Sequence, residues 1–465
     1  GEDKNSYVAL CNISQSDKDK WSTDLHEMKE RFGGRFLVVS QAIEAIRIRP
    51  GRQISELTYV IFSSDYSGNV SKTLRMRELL AAEGLSHISD SRIRIICRHH
   101  NLEDELIFDS SWRAMENGND SVADIELVDD AQLVAFWLLT QSPLFTVLEA
   151  TERRPRQKLL ISIVGLGELG LTLLKTTFWV GRMLGVDIRI IGYDVEATRI
   201  SSRLKAECPD MMSEHDGVIC KKDGSYRTVH LEELDVFGDE FKHAFVRDCS
   251  WADAVYVVVA LRDDNKNLEM AIRIHRLLEG TAALSAESKS SSFPSRFNVV
   301  FRVRDSEIRR SVEYLTESSG EQYNLTPFGD TETIFSHEVV VENPISRLAM
   351  QIAASYQRVW SRSEGDQPFE QLSYNEVLRE YRKYEVKKLS SFASALHVPY
   401  RLWSVGLALS YDKESKTYQI TRQADSQDSI SAEDWLRILN VPREEIGNVS
   451  RRCLSHEEKQ LYSRA

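Results

Sequence analysis

The feature that most constrains the fold is a glycine-rich segment placed directly after an apolar run. The run, Leu159 to Val164, is rich in β-branched residues and has the length of a buried strand. Gly165, Gly167 and Gly170 follow at G-x-G-x-x-G spacing, and a helical pattern covers residues 169–184. Strand, glycines and helix in this order predict a βαβ unit within a parallel sheet.

The glycines and a following acid give this segment a nucleotide-binding pattern. Gly165 permits the tight turn, Gly167 lets a phosphate approach the backbone, and Gly170 lets the helix pack on the strand. The N–H groups at the helix N-terminus then favour an anion. A second predicted strand, residues 187–193, leads to Asp194, whose carboxylate can accept hydrogen bonds from ribose hydroxyls. No arginine directly follows Asp194, which favours NAD or an adenosine ligand over a 2′-phosphate.

The candidate ligand is therefore NAD(H) or an adenine nucleotide such as ADP, ATP or ADP-ribose. The binding residues that this segment predicts are Gly165, Leu166, Gly167, Glu168, Leu169, Gly170 and Asp194. The alternative is a Rossmann unit that keeps the turn and binds nothing.

The first part of the chain repeats the pattern of the second part without its glycines. The matching segments are residues 56–62 with 253–259, 94–98 with 298–302, and 124–137 with 338–350. Asp65 and Asn69 fall opposite Asp263 and Asn267. We expect two copies of one α/β domain, with chance similarity between βαβ segments as the alternative. The first copy has lost nucleotide binding or binds something else, since only the second carries the glycine loop.

The predicted fold class is α/β, with two tandem Rossmann-like domains that have parallel sheets and a smaller, mostly helical C-terminal domain. The predicted boundaries are residues 1–142 for the divergent copy, 143–158 for a linker, 159–362 for the nucleotide-binding copy and 369–465 for the C-terminal domain.

Composition limits the partners and the compartment. The net charge of -12 argues against a general nucleic-acid binder, which needs a basic face. The six cysteines form no C-x-x-C motif and fit a reducing cytoplasm. No apolar run is long enough to span a bilayer. We expect a cytoplasmic protein, and a membrane tether through a segment that precedes Gly1 stays open.

The second copy resembles the RCK/TrkA-N domain, the Rossmann-type cytoplasmic regulator of potassium channels and transporters. The resemblance is carried by residues 165–170, by Asp194, and by the run 252–259 followed by Asp263, Asp264 and Asn265. It implies a nucleotide whose far side lies near Asp263 and Asn267. It also implies a membrane pore or transporter partner outside this chain, and a homo-oligomer.

The C-terminal part is similar to the ryanodine-receptor (RyR) repeat domain in two short pieces. These are residues 390–406 and 454–459. The Glu-His-x-Arg-Trp block usual between them is absent, and Trp435 is a poor substitute for it.

No catalytic or metal-binding constellation emerges from the sequence. Tyr384 and Lys388 lie four positions apart, as in short-chain dehydrogenases, but a solvated helix face explains them. The adjacent His99 and His100 would point to opposite faces of a strand. His337 is expected at a strand end. A non-catalytic nucleotide sensor is therefore the leading hypothesis, with an NAD-dependent oxidoreductase or a soluble nucleotide-signal sensor as alternatives.

Overall fold

The computed structural model describes only part of the chain. It covers residues 8–9, 56–62, 66–82, 92–99, 124–148, 156–209, 211–212, 218–219, 225–288, 293–294, 296–319, 324–360, 385–404, 407–412 and 417–422. The chain divides into two compact units, one up to Leu133 and the other from Val134 onward.

The first unit is built on a four-stranded parallel sheet with the strand order β1-β2-β3-β4. Its elements are β1 (Val8–Ala9), β2 (Glu56–Ile61), α1 (Tyr66–Ala82), β3 (Arg92–His99), β4 (Asp124–Asp129) and the start of α2 (Asp130–Gln141). Tyr59, Met76 and Ile95 are almost completely buried in it. This sheet and its helix follow the α/β pattern predicted for the first copy.

The second unit is built on a seven-stranded sheet with the order β11-β10-β9-β5-β6-β8-β7. The strands are β5 (Gln157–Val164), β6 (Val186–Asp194), β7 (Val218–Ile219), β8 (Tyr226–Glu233), β9 (Ala254–Val259), β10 (Arg296–Arg302) and β11 (Leu325–Phe328). All neighbours pair in parallel except β7 with β8. The α/β fold class with parallel sheets is confirmed.

The strand order reverses direction beside β5. The chain passes from β5 outward through β6 to β8, then returns to the other side of β5 with β9 and continues to β10 and β11. This is the doubly wound order, and ligands of such sheets bind where it reverses, at the carboxyl ends of the strands. Here that place lies between the loops that follow β5 and β9.

Helices cover the sheet, and a glycine or a polar residue precedes several of them. They are α3 (Glu168–Val180), α4 (Ala197–Glu207), α5 (Asp239–Cys249), α6 (Asp264–Ser288), α7 (Ser306–Ser319), α8 (Thr331–Ile334) and a π-helix (Glu338–Glu342). The core between the sheet, α5 and α6 is apolar and closely packed. It includes Leu160, Val164, Tyr193, Phe245, Val257, Ile274 and Phe301.

The C-terminal elements belong to this same compact unit. They are α9 (Pro344–Trp360), α10 (Glu385–Trp403) and an antiparallel hairpin of β12 (Leu407–Asp412) and β13 (Thr417–Arg422). Leu348, Ala395, Leu402 and Ile420 form their shared apolar core. The domain boundaries predicted from the sequence stay predictions. Among the described residues, no helix is both long enough and apolar enough to cross a membrane.

The expectation of a strand near Glu338 was wrong. Residues 338–342 form the π-helix, and His337 before it has helical φ and ψ angles, so it is not a strand-end residue. The strand that sits beside β10, as β4 sits beside β3, is β11. The apolar run Val339–Val341 reads equally well as a strand or as a buried helical turn, and periodicity alone does not separate the two.

Several sequence predictions fall outside the described residues. They concern Asp65, His100, Tyr384, Trp435 and the segment 454–459.

Candidate nucleotide-binding site

The turn after β5 depends on Gly165. Its φ of +91° lies in the left-handed region, and a β-carbon there would lie 2.9 Å from the carbonyl oxygen of Ala260. Its N–H donates to the carbonyl of Tyr193 at 2.9 Å, while the N–H of Ala260 donates to the carbonyl of Val164 at 2.8 Å. The loops after β5 and β9 are therefore in direct contact at the place where the strand order reverses.

The other two glycines of the loop have different surroundings. A β-carbon at Gly170 would lie 1.9 Å from the carbonyl oxygen of Gly165, so only glycine lets α3 pack this close to the loop. At Gly167 no atom lies within 4 Å of the β-carbon position. Gly167 is the N-cap of α3 and supplies no side-chain cap. The space beside Gly167 at the N-terminus of α3 is thus open to a side chain or to a group of similar size, such as a phosphate oxygen.

Asp194 lies at the end of β6 and connects to the glycine loop. Its Oδ2 accepts the N–H of Leu166 at 2.7 Å, and its Oδ1 accepts the N–H of Glu196 at 2.9 Å. An ionised carboxylate has about four acceptor positions, so each oxygen keeps room for a ribose hydroxyl. These two bonds hold the carboxylate beside the loop.

The remaining residues predicted from the glycine segment have separate roles. Leu166 is buried and packs over Gly192, whose β-carbon position lies 2.8 Å from a Leu166 methyl. Glu168 is exposed and Leu169 half-buried in the first turn of α3. We infer that Leu166 shapes the loop from inside, while Glu168 lies at its surface.

The loop after β9 contains both Asp263 and Asn267. Asp263 is exposed and caps α6, because its Oδ1 accepts the N–H of Lys266 at 3.0 Å. Asn267 is fully buried, and its amide group accepts the N–H of Leu261 at 2.6 Å and donates to the Leu261 carbonyl at 3.1 Å. The structure therefore brings Asp263 to the same sheet edge as the glycine loop. Asn267 holds the backbone of Leu261, and its role as a ligand contact stays a prediction.

Asp264 joins this loop to the next one. Its Oδ2 accepts the N–H groups of Arg304 at 2.8 Å and Asp305 at 3.0 Å, both of which follow β10. Arg262 is exposed between Leu261 and Asp263 and brings a positive charge to the loop beside Gly165. Sequence reasoning passed over Arg262, since its nearness to the glycines depends on the pairing of β5 with β9.

Glu233 is a second residue that sequence reasoning missed. It ends β8 and pairs in register with Asp194. Its Oε2 accepts the N–H of Thr198 at 2.8 Å, in the first turn of α4. Hydrogen bonds from the Thr198 hydroxyl and N–H lower the pKa of Glu233, which is therefore ionised at neutral pH. Only the strand register would have revealed this neighbour of Asp194.

Among the described residues, no group of three or more histidine, cysteine or acidic side chains could hold a metal ion. His99, one of the two adjacent histidines, is buried within the first unit.

The fold and the loop define a class of protein: a Rossmann-like α/β protein with an open glycine turn at the reversal of its strand order. No family model matches the chain, and no curated protein matches it. Among solved structures, one that it resembles is the apo-structure of D-lactate dehydrogenase from Escherichia coli. That match has 12% identity and a TM-score of 0.22 over 76% of this chain and 97% of the other. At this TM-score it carries no argument about fold or function.

Proposed function

We propose that this chain is a regulatory protein that binds NAD(H) or an adenine nucleotide at the carboxyl edge of its seven-stranded sheet. The observation that carries the proposal is the open β-carbon position of Gly167 at the N-terminus of α3, with the Asp194 carboxylate bonded to the same loop. Backbone N–H groups and a helix dipole suit a phosphate, and the carboxylate suits ribose hydroxyls.

The ligand would lie across the place where the strand order reverses. Its phosphates would approach Gly167, and its adenosine ribose would bond to Asp194. The opposite end of the ligand would extend toward the loop after β9, near Arg262 and Asp263. The contact between Gly165 and Ala260 supports this arrangement, because it keeps the two loops together.

The hydrogen bonds of the acidic side chains along this edge favour a sensing role over catalysis. Asp194, Asp263 and Asp264 each accept backbone N–H groups that hold the loops in place. The resemblance to RCK/TrkA-N domains supports a membrane pore or transporter as the partner, and a homo-oligomer. Such a sensor acts only through a difference in ligand affinity between two conformations.

Thermal unfolding with a nucleotide panel tests the site. The panel contains NAD, NADH, ADP, ATP, AMP, ADP-ribose and cyclic dinucleotides. A ligand at a hundred times its dissociation constant adds about 2.7 kcal/mol to the unit that binds it, which is easily detected. We expect a shift that disappears in Gly167→Glu, because the new side chain fills the phosphate approach.

Gly280→Glu is the matched control. Its β-carbon position is also open, but it lies on the exposed surface of α6, away from the loop. It should keep the ligand-induced shift. A Gly167→Glu protein that still responds to the nucleotide would refute the assignment.

An NAD-dependent oxidoreductase is the second candidate, since the strand order and Asp194 suit that cofactor equally. It requires an acid or base beside the nicotinamide. Steady NADH formation or consumption with a panel of hydroxy and keto acids, lost in Gly167→Glu, would favour it over the sensor.

A further inference from the structure

The N-terminus of α4 lies beside the proposed adenosine end of the site. Helix α4 begins at Ala197, three positions after Asp194, and its N-cap Glu196 makes no side-chain capping bond. The N-terminus of an eleven-residue helix attracts anions through its free N–H groups and its dipole. A phosphate on the 2′-oxygen of a ribose bonded to Asp194 would come close to this helix end.

A carboxylate of the chain itself already occupies that position. Glu233 accepts the N–H of Thr198 at 2.8 Å. Residues paired in register on parallel strands share one face of the sheet, so Glu233 and Asp194 point to the same side. Their strands are about 4.8 Å apart. Glu233 therefore supplies a negative charge where a 2′-phosphate would need a positive one.

The positive charge in the first turn of α4 is already paired with a carboxylate. Arg199, in the first turn of α4, forms an ion pair with Glu196. The carboxylates of Asp194, Glu196 and Glu233 carry three negative charges against the one positive charge of Arg199, which leaves two negative charges. A 2′-phosphate would add further negative charge and would find the helix N-terminus occupied.

We propose that Glu233 makes this site selective for a ribose with a free 2′-hydroxyl, by occupying the N-terminus of α4 in place of a 2′-phosphate. The proposal rests on the proposed nucleotide site. A free 2′-hydroxyl donates to Asp194, whereas a phosphate has no proton to donate when fully ionised. Glu196 adds to the selectivity, since it removes Arg199 as a phosphate ligand.

Isothermal titration calorimetry on the full chain tests this selectivity with two matched pairs of ligands. These are NAD with NADP, and ADP-ribose with its 2′-phosphate. We expect the unmodified chain to prefer the ligand without the 2′-phosphate by at least about tenfold. Glu233→Gln should narrow the preference about tenfold, because one nearby charge is removed. The double variant Glu196→Gln/Glu233→Gln should narrow it further, because Arg199 is freed.

Glu232→Gln is the control with the same change of charge. Glu232 is the neighbour of Glu233 in β8, points to the opposite face of the sheet and pairs with Arg247. It should leave the ratio of NAD to NADP affinity unchanged. Circular dichroism of all variants checks that the fold is kept.

The outcomes separate this inference from the site itself. If the unmodified chain binds NAD and NADP equally, or if Glu233→Gln leaves their ratio unchanged, the role of Glu233 is refuted and the site survives. If it binds none of the four ligands and none of the nucleotides in the thermal-unfolding panel, the nucleotide site fails and the selectivity fails with it.

Discussion

At the residue scale, the three glycines of the loop differ in what a side chain would meet. Gly165 needs its positive φ, and Gly170 needs the absence of a β-carbon against the Gly165 carbonyl. Gly167 needs neither for the fold, since its β-carbon position is open. The motif therefore contains two glycines that the fold requires and one, Gly167, whose β-carbon position the fold leaves open.

This difference predicts that alanine costs much more stability at Gly170 than at Gly167. Gly170→Ala should lower the free energy of unfolding by more than about 2 kcal/mol, because its β-carbon overlaps a backbone oxygen. Gly167→Ala should lower it by less than about 1 kcal/mol, the cost of replacing glycine by alanine at an N-cap. Urea unfolding at equilibrium measures both. Equal losses of stability would contradict the distinct roles.

Asp194 and Asn267 show which properties of single residues could be predicted from the sequence. Asp194 was placed at the end of β6 from its position after an apolar run, and it lies there. Asn267 carries a similar polar pattern, but its amide bonds to the backbone of Leu261 in the protein interior. A sequence pattern does not show which backbone groups a side-chain amide contacts, because those contacts depend on the tertiary fold.

At the element scale, α10 forms hydrogen bonds with residues that follow the C-terminal end of α3. Nε2 of His397 lies 2.7 Å from the carbonyl oxygen of Arg182, just beyond α3, and its Nδ1 accepts a hydrogen bond from the side-chain Nε–H of Arg401 at 3.1 Å. The Ser404 hydroxyl accepts the N–H of Leu184 at 3.2 Å. Because Arg401 donates to Nδ1, the proton of the neutral ring is on Nε2, which donates to Arg182.

This arrangement predicts a stability that falls in mild acid. Burial, followed by the charge of Arg401, lowers the pKa of His397 to about 3 from its ordinary 6.5. Below pH 6.5 the unfolded chain therefore takes up a proton that the folded chain does not, so stability falls until the pH reaches about 3. Between pH 7 and pH 5 the loss should be about 2 kcal/mol.

Urea unfolding of the unmodified chain and of His397→Gln at the two pH values measures this loss. Glutamine does not titrate, so its variant should lose about 2 kcal/mol less between pH 7 and pH 5. Other groups that titrate contribute equally to both proteins. Identical pH dependence in the two would show that His397 does not resist protonation.

At the scale of the whole molecule, the described C-terminal elements are part of the second compact unit. Tyr400 is fully buried, accepts the N–H of Leu144 at 3.3 Å and donates to the Leu139 carbonyl at 3.3 Å. Phe145 packs edge-on against Tyr400 and stacks on Trp403. Helix α10 therefore packs against the segment that leads into β5.

These contacts predict that α10 and the seven-stranded sheet unfold together. Tyr400→Ala should lower the stability of both by about 3 kcal/mol, as expected for removal of a large buried ring. Native-state hydrogen exchange measures this, with amides of α10 and β5 reporting separately. Loss of protection confined to α10 would instead indicate a separately folding C-terminal domain.

The sequence by itself determined the features that depend on neighbours along the chain. The apolar run, the glycine spacing and the helical period specified the β5–α3–β6 unit, and they specified the α/β class, because backbone propensity and side-chain periodicity act locally. They also placed Asp194 at a strand end.

Only the tertiary structure decided which distant segments meet. It placed β9 against β5, so that Ala260 closes the glycine turn, and it placed Glu233 opposite Asp194. It also gave α10 to the same unit as the sheet. The physical reason is that strand order and helix docking are selected by burial and hydrogen bonding across the whole core, which no local pattern contains.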